Sequence, residues 1–176
     1  MRSLVIGYGN PSRRDDGVGL AVVNALRGRW GQASLAPYDD GWEDLGGTRD
    51  SLSLQQLTPE LAPALAQYDL VIFVDAALLE SAEAVHSERI APNYCTGAIS
   101  HHMEPATLLA LACQLYGRAP QGFLISVRGH DFNFGDQLSP ETHAAVAEAV
   151  ERVAALIAGA EAGCGRSPQR EAETDG

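Results

Sequence analysis

Apolar positions along the chain form two recurring patterns: short unbroken runs, and longer stretches in which apolar residues recur three or four apart. The runs SLVIGY (3–8), DLVIFVDA (69–76) and GFLISV (122–127) lack polar alternation until their ends, which is the pattern of strands buried on both faces. Residues 84–90 read as a further short strand. Helical spacing follows the first run, with Val18, Val22, Val23 and Leu26 on one stripe; Asp15 or Asp16 is placed to cap its start and Gly28 lies near its end. Thr58-Pro59-Glu60 predicts a short helix reaching residue 68, with Thr58 as N-cap and Pro59 at the first helical position. Residues 105–116 carry a broad apolar stripe closed by Gly117, and Ser139-Pro140 opens a last helix whose apolar residues continue to about Ile157. Between residues 31 and 56 the pattern weakens: 34–36 is a candidate strand, and YDDGWEDLGGTRD, rich in Asp and Gly, reads as loop.

Strands alternating with helices predict an α/β fold, a single three-layer domain with a twisted, mostly parallel sheet and helices on both faces. The domain is expected over residues 1–160, and the polar, aperiodic tail 161–176 is expected to be disordered. Length agrees with this, since 176 residues with 45% hydrophobic and 20% charged suit one globular domain. No apolar run approaches the ~20 residues of a membrane span, and the N-terminus has no cleavage-site pattern of a secretory signal. The three cysteines show no CxxC spacing, which points away from a disulfide framework or zinc knuckle and towards a reducing cytoplasm. Cys95 and Cys113 are expected as small buried hydrophobes. A net charge of −11 argues against nucleic acid as a partner.

In a parallel sheet, ligands and reacting groups gather beyond the C-terminal ends of the strands, and that rule selects candidates. The loop after the first strand, GYGNPSRRDDGVG, resembles a dinucleotide fingerprint only superficially: position 12 is Ser where Gly is needed, and two carboxylates would repel a pyrophosphate. Of the adjacent pair Asp15 and Asp16, one can cap a helix while the other faces the cleft. Asp75 closes an otherwise apolar strand, where an unpaired buried carboxylate would be costly. His101 and His102 precede the third helix, and because adjacent side chains diverge, one of the two is expected to face the cleft. Two carboxylates and an imidazole from three loops form a mixed O/O/N set that suits nickel or zinc with a position left open. Without a metal the same groups can act as general acid and base, so hydrolysis is the chemistry they best suit. His86, His130 and His143 are isolated and read as surface or capping residues, and Ser126 lacks the GxSxG elbow of a serine hydrolase.

Three motifs, LVIGYGNPSRRDDGVG, DLVIFVDA and ISHHMEPATLLALACQLYG, together with the later GDQLSP, resemble the hydrogenase maturation proteases, the endopeptidases that trim the large subunit of NiFe hydrogenases. The resemblance runs through residues 4–156. It implies a single α/β domain in which Asp16, Asp75 and His102 stand where the family has its two carboxylates and its imidazole. It further implies that these three act in catalysis by contacting nickel held by the substrate, so that the metal arrives with the large-subunit precursor and is not a resident cofactor. Removal of a short C-terminal peptide would then complete maturation. Whether the metal polarises the scissile carbonyl or a carboxylate activates water stays open. The competing expectation is a non-proteolytic, nickel-binding accessory protein for hydrogenase. The stretch 39–56 departs from the family pattern, apart from the glycine-rich GGT at 46–48.

Overall fold

The computed structural model describes residues 1–79, 83–94 and 103–164. Its regular elements are β1 (Ser3–Tyr8), α1 (Val18–Arg29), β2 (Arg49–Leu54), α2 (Ala62–Leu65), β3 (Leu70–Ala77), β4 (Val85–Ile90), α3 (Pro105–Tyr116), β5 (Gln121–Arg128) and α4 (Pro140–Cys164). The five strands form one sheet in the order β2-β1-β3-β5-β4. All neighbours are parallel except β4, which runs antiparallel to β5 at the edge.

Alternate residues of the central strands feed two cores. Val5, Ile72 and Val74 pack against α1 and α4 through Val22, Leu26, Val150 and Val153, while Leu4, Ile6, Val71 and Phe73 pack against α2 and α3 through Leu65, Leu108 and Leu109. Each such side chain, fully buried, contributes about 1.5–3 kcal/mol. This gives the three-layer α/β domain expected from the strand and helix pattern. The layers meet closely at Gly7 and Gly19, where a Cβ on Gly7 would lie 2.3 Å from the Gly19 carbonyl oxygen. The N-terminal turn of α1 can therefore rest on β1, and the loop between them is drawn tight over the strand end.

Most predicted elements hold within a residue or two, and the exceptions have identifiable causes. Residues 34–36 form no strand; Leu35 is instead clasped by the Asn24 side chain, which donates to its carbonyl at 2.9 Å and accepts from its N–H at 2.8 Å. The strand lies further on, at Arg49–Leu54, inside the region read partly as loop. It is hidden because its buried positions include Asp50 and Ser51, polar residues whose partners lie both in the adjoining loop and far along the chain. Asp50 accepts hydrogen bonds from the Tyr68 hydroxyl at 2.7 Å and from the Gly46 and Gly47 amides at 3.1 and 3.0 Å.

The helix expected up to residue 68 is one 3-10 turn, Pro59–Leu61, followed by one α turn, and Thr58 makes no side-chain cap bond. Ser139, in contrast, caps α4 as expected, accepting from the Thr142 N–H at 3.3 Å. α4 runs on to Cys164, so residues 161–164 of the expected tail are helical; residues 165–176 lie outside the described residues. Cys113 is exposed, not buried, because the buried positions of α3 are Leu108, Leu109, Ala110 and Ala112. Cys95 lies outside the described residues. Among the described residues no helix is long and apolar enough to cross a membrane.

Candidate active site

Strands β1 and β3 lie side by side, and residues two apart on one face of each read Leu4, Ile6, Tyr8 and Val71, Phe73, Asp75. The first two of each row are fully buried under α2 and α3, whereas Tyr8 and Asp75 reach past that cover and are only partly buried. The strand order departs from β1 in both directions, to β2 on one side and β3 on the other, which makes this strand end a topological switch point.

The Tyr8 hydroxyl and the Ala76 backbone N–H both hydrogen-bond the Asp75 carboxylate. Burial pushes the Asp75 carboxyl up to about 6; these two hydrogen bonds pull it down, and the charge of nearby Asp16 pushes it up. Burial, followed by the Asp75 charge, drives the Tyr8 phenol well above its ordinary value, so Tyr8 stays protonated and can only donate to Asp75.

Asp16 reaches the same place from the β1–α1 loop. The chain leaves β1 through Gly9 at φ +133°, and a Cβ there would come within 2.0 Å of the Asp16 carbonyl oxygen. Only glycine permits that approach, which folds the 3-10 turn Arg14–Gly17 back over the strand end. The Asn10 backbone N–H then donates to the Asp16 carboxylate at 2.8 Å.

Neither aspartate of the pair caps α1, whose N-cap is Gly17 with no side-chain bond. Asp15 points the opposite way and is fully buried. Its carboxylate accepts from the backbone N–H groups of His130, Asp131 and Ser139 at 2.7, 2.8 and 2.7 Å, and from the hydroxyls of Ser139 and Thr142 at 2.8 and 2.9 Å. Burial pushes the Asp15 carboxyl up, but these donors outweigh it and hold it down at about 2. The cap on α1 expected of one aspartate is therefore not made; Asp15 instead ties Ser139, the residue that caps α4, and the loop before it to the β1–α1 turn.

Asp16 and Asp75 open onto one cleft of about 700 Å³, lined also by Tyr8, Arg13, Gln55, Gln56 and Met103. Arg13 is steered by its Nε, which donates to the Phe132 carbonyl at 3.2 Å, and its guanidinium lies 6.0 Å from the centre of the Phe134 ring. A slightly larger hollow, about 750 Å³, lies at the opposite end of the sheet beside Met1 and Trp30. Its charged side chains are already engaged, Arg29 with Glu151 and Arg49 with Glu161, whereas the first cleft holds the Asp16 and Asp75 carboxylates.

The structure therefore brings together two of the three expected site residues. His102, like His101, lies outside the described residues; Met103, one residue further on, lines the cleft. Among the described residues no three metal-ligating side chains converge. His86, His130 and His143 are exposed, as expected. Sequence reasoning missed Tyr8, Arg13, Gln55 and Gln56. The first is available as the third member of the Leu4, Ile6 row, whereas the glutamines follow a strand that its buried polar residues mask.

A sheet-end cleft with two carboxylates, one of raised proton affinity, defines a class of site suited to hydrolysis. No protein-family model matches the chain, and no curated protein matches it in sequence. Solved structures do match. The chain is similar to the hydrogenase maturating endopeptidase HybD from E. coli, with a TM-score of 0.69 and 25% identity over 91% of this chain and 94% of that one. It is also similar to a hydrogenase 2 maturation peptidase from a Thaumarchaeota archaeon, with a TM-score of 0.60 and 25% identity over 90% and 99% of the two chains. The NiFe hydrogenase maturation protease HybD from Thermococcus kodakarensis shares the fold at 20% identity, with a TM-score of 0.61 over 89% and 99%. The resemblance read from the three motifs thus holds in three dimensions over about nine-tenths of the chain.

Proposed function

We propose that this protein is an endopeptidase that removes the C-terminal extension of a NiFe hydrogenase large-subunit precursor. The observation that carries the reading is the pairing of Asp16 and Asp75 in one cleft, on a fold shared with proteins named as hydrogenase maturation endopeptidases. Nickel enters as part of the substrate, with Asp16, Asp75 and His102 as its contacts. A substrate-held metal supplies Lewis acidity near the bond to be cut.

The chain's own residues do the rest. Asp16 is anchored by the Asn10 amide, which fixes its free oxygen towards the cleft. Asp75, pushed up to about 6 in the free protein, can gain or lose a proton near neutral pH, and so can either meet the incoming metal as a carboxylate or activate water. Tyr8 holds that carboxylate in place. The three-cysteine composition suits action in a reducing cytoplasm.

The test is incubation of the purified protein with nickel-loaded and nickel-free forms of the cognate precursor, followed by mass spectrometry of the precursor's C-terminus. Loss of a defined peptide from the loaded form alone is the expected result, and it should vanish in His102→Ala. An uncut, nickel-loaded precursor would move the reading to a non-proteolytic accessory protein.

A further inference from the structure

A second concavity, about 430 Å³, adjoins the cleft: Gln55 and Gln56 line both. Its outer wall is aromatic and exposed, Tyr38 being 59% and Trp42 42% accessible, and its carboxylates are Asp40 and Glu60. Neither carboxylate has an ion-pair partner among the described residues, although Asp44, close by in sequence, is paired with Arg27. The wall is also tied to the active-site loop, because the Tyr38 hydroxyl hydrogen-bonds the Ser12 hydroxyl. Tyr38 is held at φ +69°, a conformation that a bulky residue adopts only when its surroundings impose it.

Building on the reading of the cleft as a peptidase site, we propose that this groove grips the polypeptide entering the cleft through an arginine or lysine side chain of the protein substrate. Two features specify that occupant. The two carboxylates hold hydrogen bonds, Asp40 from the Trp42 backbone N–H and Glu60 from Thr58, but no ion pair among the described residues. Exposed aromatic rings beside such carboxylates attract a cation by the ring quadrupole and by charge, and they do so best for a guanidinium. The chain as a whole, at −11, draws basic segments towards it. Continuity through Gln55 and Gln56 places the groove on the path of a chain that is extended across the cleft.

The first experiment needs no substrate protein. The indole N–H resonances of Trp30 and Trp42, the two tryptophans, are followed while the full-length protein is titrated with N-acetyl-arginine methylamide or N-acetyl-glutamate methylamide. Trp42 should shift with the arginine compound alone, and the shift should be lost in the isosteric double variant Asp40→Asn/Glu60→Gln. In cleavage of the nickel-loaded precursor, the same variant should raise KM about fivefold with kcat unchanged. It should also flatten the fall of kcat/KM with added salt. A Trp42 resonance indifferent to arginine, or an unchanged KM, would overturn the groove while leaving the peptidase reading standing. An arginine-responsive groove on a protein that cuts no precursor would do the reverse.

Discussion

Asp15 and Asp16 are adjacent and chemically identical, yet the fold makes opposite uses of them. Asp15 is fully buried and met by three amides and two hydroxyls, which leave its carboxylate saturated and hold it down at about 2. Asp16 takes one amide, from Asn10, and otherwise faces a cleft in which its charge bears on Asp75. The contrast teaches that the supply of donors, more than depth, decides whether a carboxylate is saturated or left open to a ligand. A saturated carboxylate has no lone pair left for substrate, whereas one with fewer donors keeps acceptor sites open to it. The two are also mechanically joined, because Asp15 and its neighbours stitch the turn that carries Asp16 to the loop before α4. The Arg14 N–H bonds to the Gly135 carbonyl at 3.0 Å and the Asp15 N–H to the Asp131 carbonyl at 3.1 Å.

Substitution breaks the two sites in different currencies. Asp16→Asn or Asp75→Asn should lower kcat/KM for precursor cleavage by on the order of 10²–10⁴-fold while the circular dichroism spectrum is retained. Wild-type rates in both variants would remove the cleft from the mechanism. Asp15→Ala should leave buried amides and hydroxyls without an acceptor and cost on the order of 3–5 kcal/mol in urea unfolding. Because the Asp15 carboxyl is held below its unfolded value of 3.8, its stabilisation is present above that pH and is lost as pH falls towards about 2. The advantage of wild type over Asp15→Asn should accordingly shrink between pH 4 and pH 2.

Asp75 should show the opposite sign. Its folded value, about 6, lies above the unfolded 3.8, so the stability it lends is full below about 4 and is lost as pH rises through about 6. Asp75→Asn should therefore be more stable than wild type by about 1–3 kcal/mol at pH 8 and equal to it at pH 3.5, read from thermal or urea unfolding. A variant that is both dead and more stable would mark Asp75 as a group kept for chemistry at a cost to the fold. Equal stability at both pH values would show that burial does not strain this carboxylate.

The same contrast explains what could be read before the structure was known. Runs such as Leu4–Ile6 and Val71–Val74 are apolar on both faces, so strand identity, parallel pairing and the sheet-end rule followed from sequence and led to Asp16 and Asp75. Strand β2 did not follow, because Asp50 and Ser51 are buried with help from partners 18 or more residues away, the Tyr68 hydroxyl and the Arg27 guanidinium, beside the nearby Gly46 and Gly47 amides. Periodicity carries no trace of such a partner. Asp15 reads in sequence as a cap for the first helix, a role it does not fill, since its donors lie at positions 130–142. Gln55 and Gln56 were invisible for the reason that β2 was: a residue cannot be assigned to a strand end until the strand exists.

The smallest expected effect probes the join between core and cleft. Tyr8 sits where the apolar row of β1 ends, and its hydroxyl is the one part of that row directed at chemistry. Tyr8→Phe keeps the ring and its packing and removes one hydrogen bond, so stability should fall by only about 1 kcal/mol. The lost bond is one that favours the ionised form of Asp75, while burial and the Asp16 charge, which oppose ionisation, remain. Asp75 should then titrate higher, and the acid limb of the kcat/KM profile should move up by as much as about one pH unit, with the rate at pH 8 nearly unchanged. A uniform loss of rate at all pH values would assign Tyr8 to substrate binding, and an unmoved profile would detach it from Asp75. The upward shift alone would show that the ordinary alternation of a buried strand, carried one residue past its cover, sets the proton affinity of Asp75.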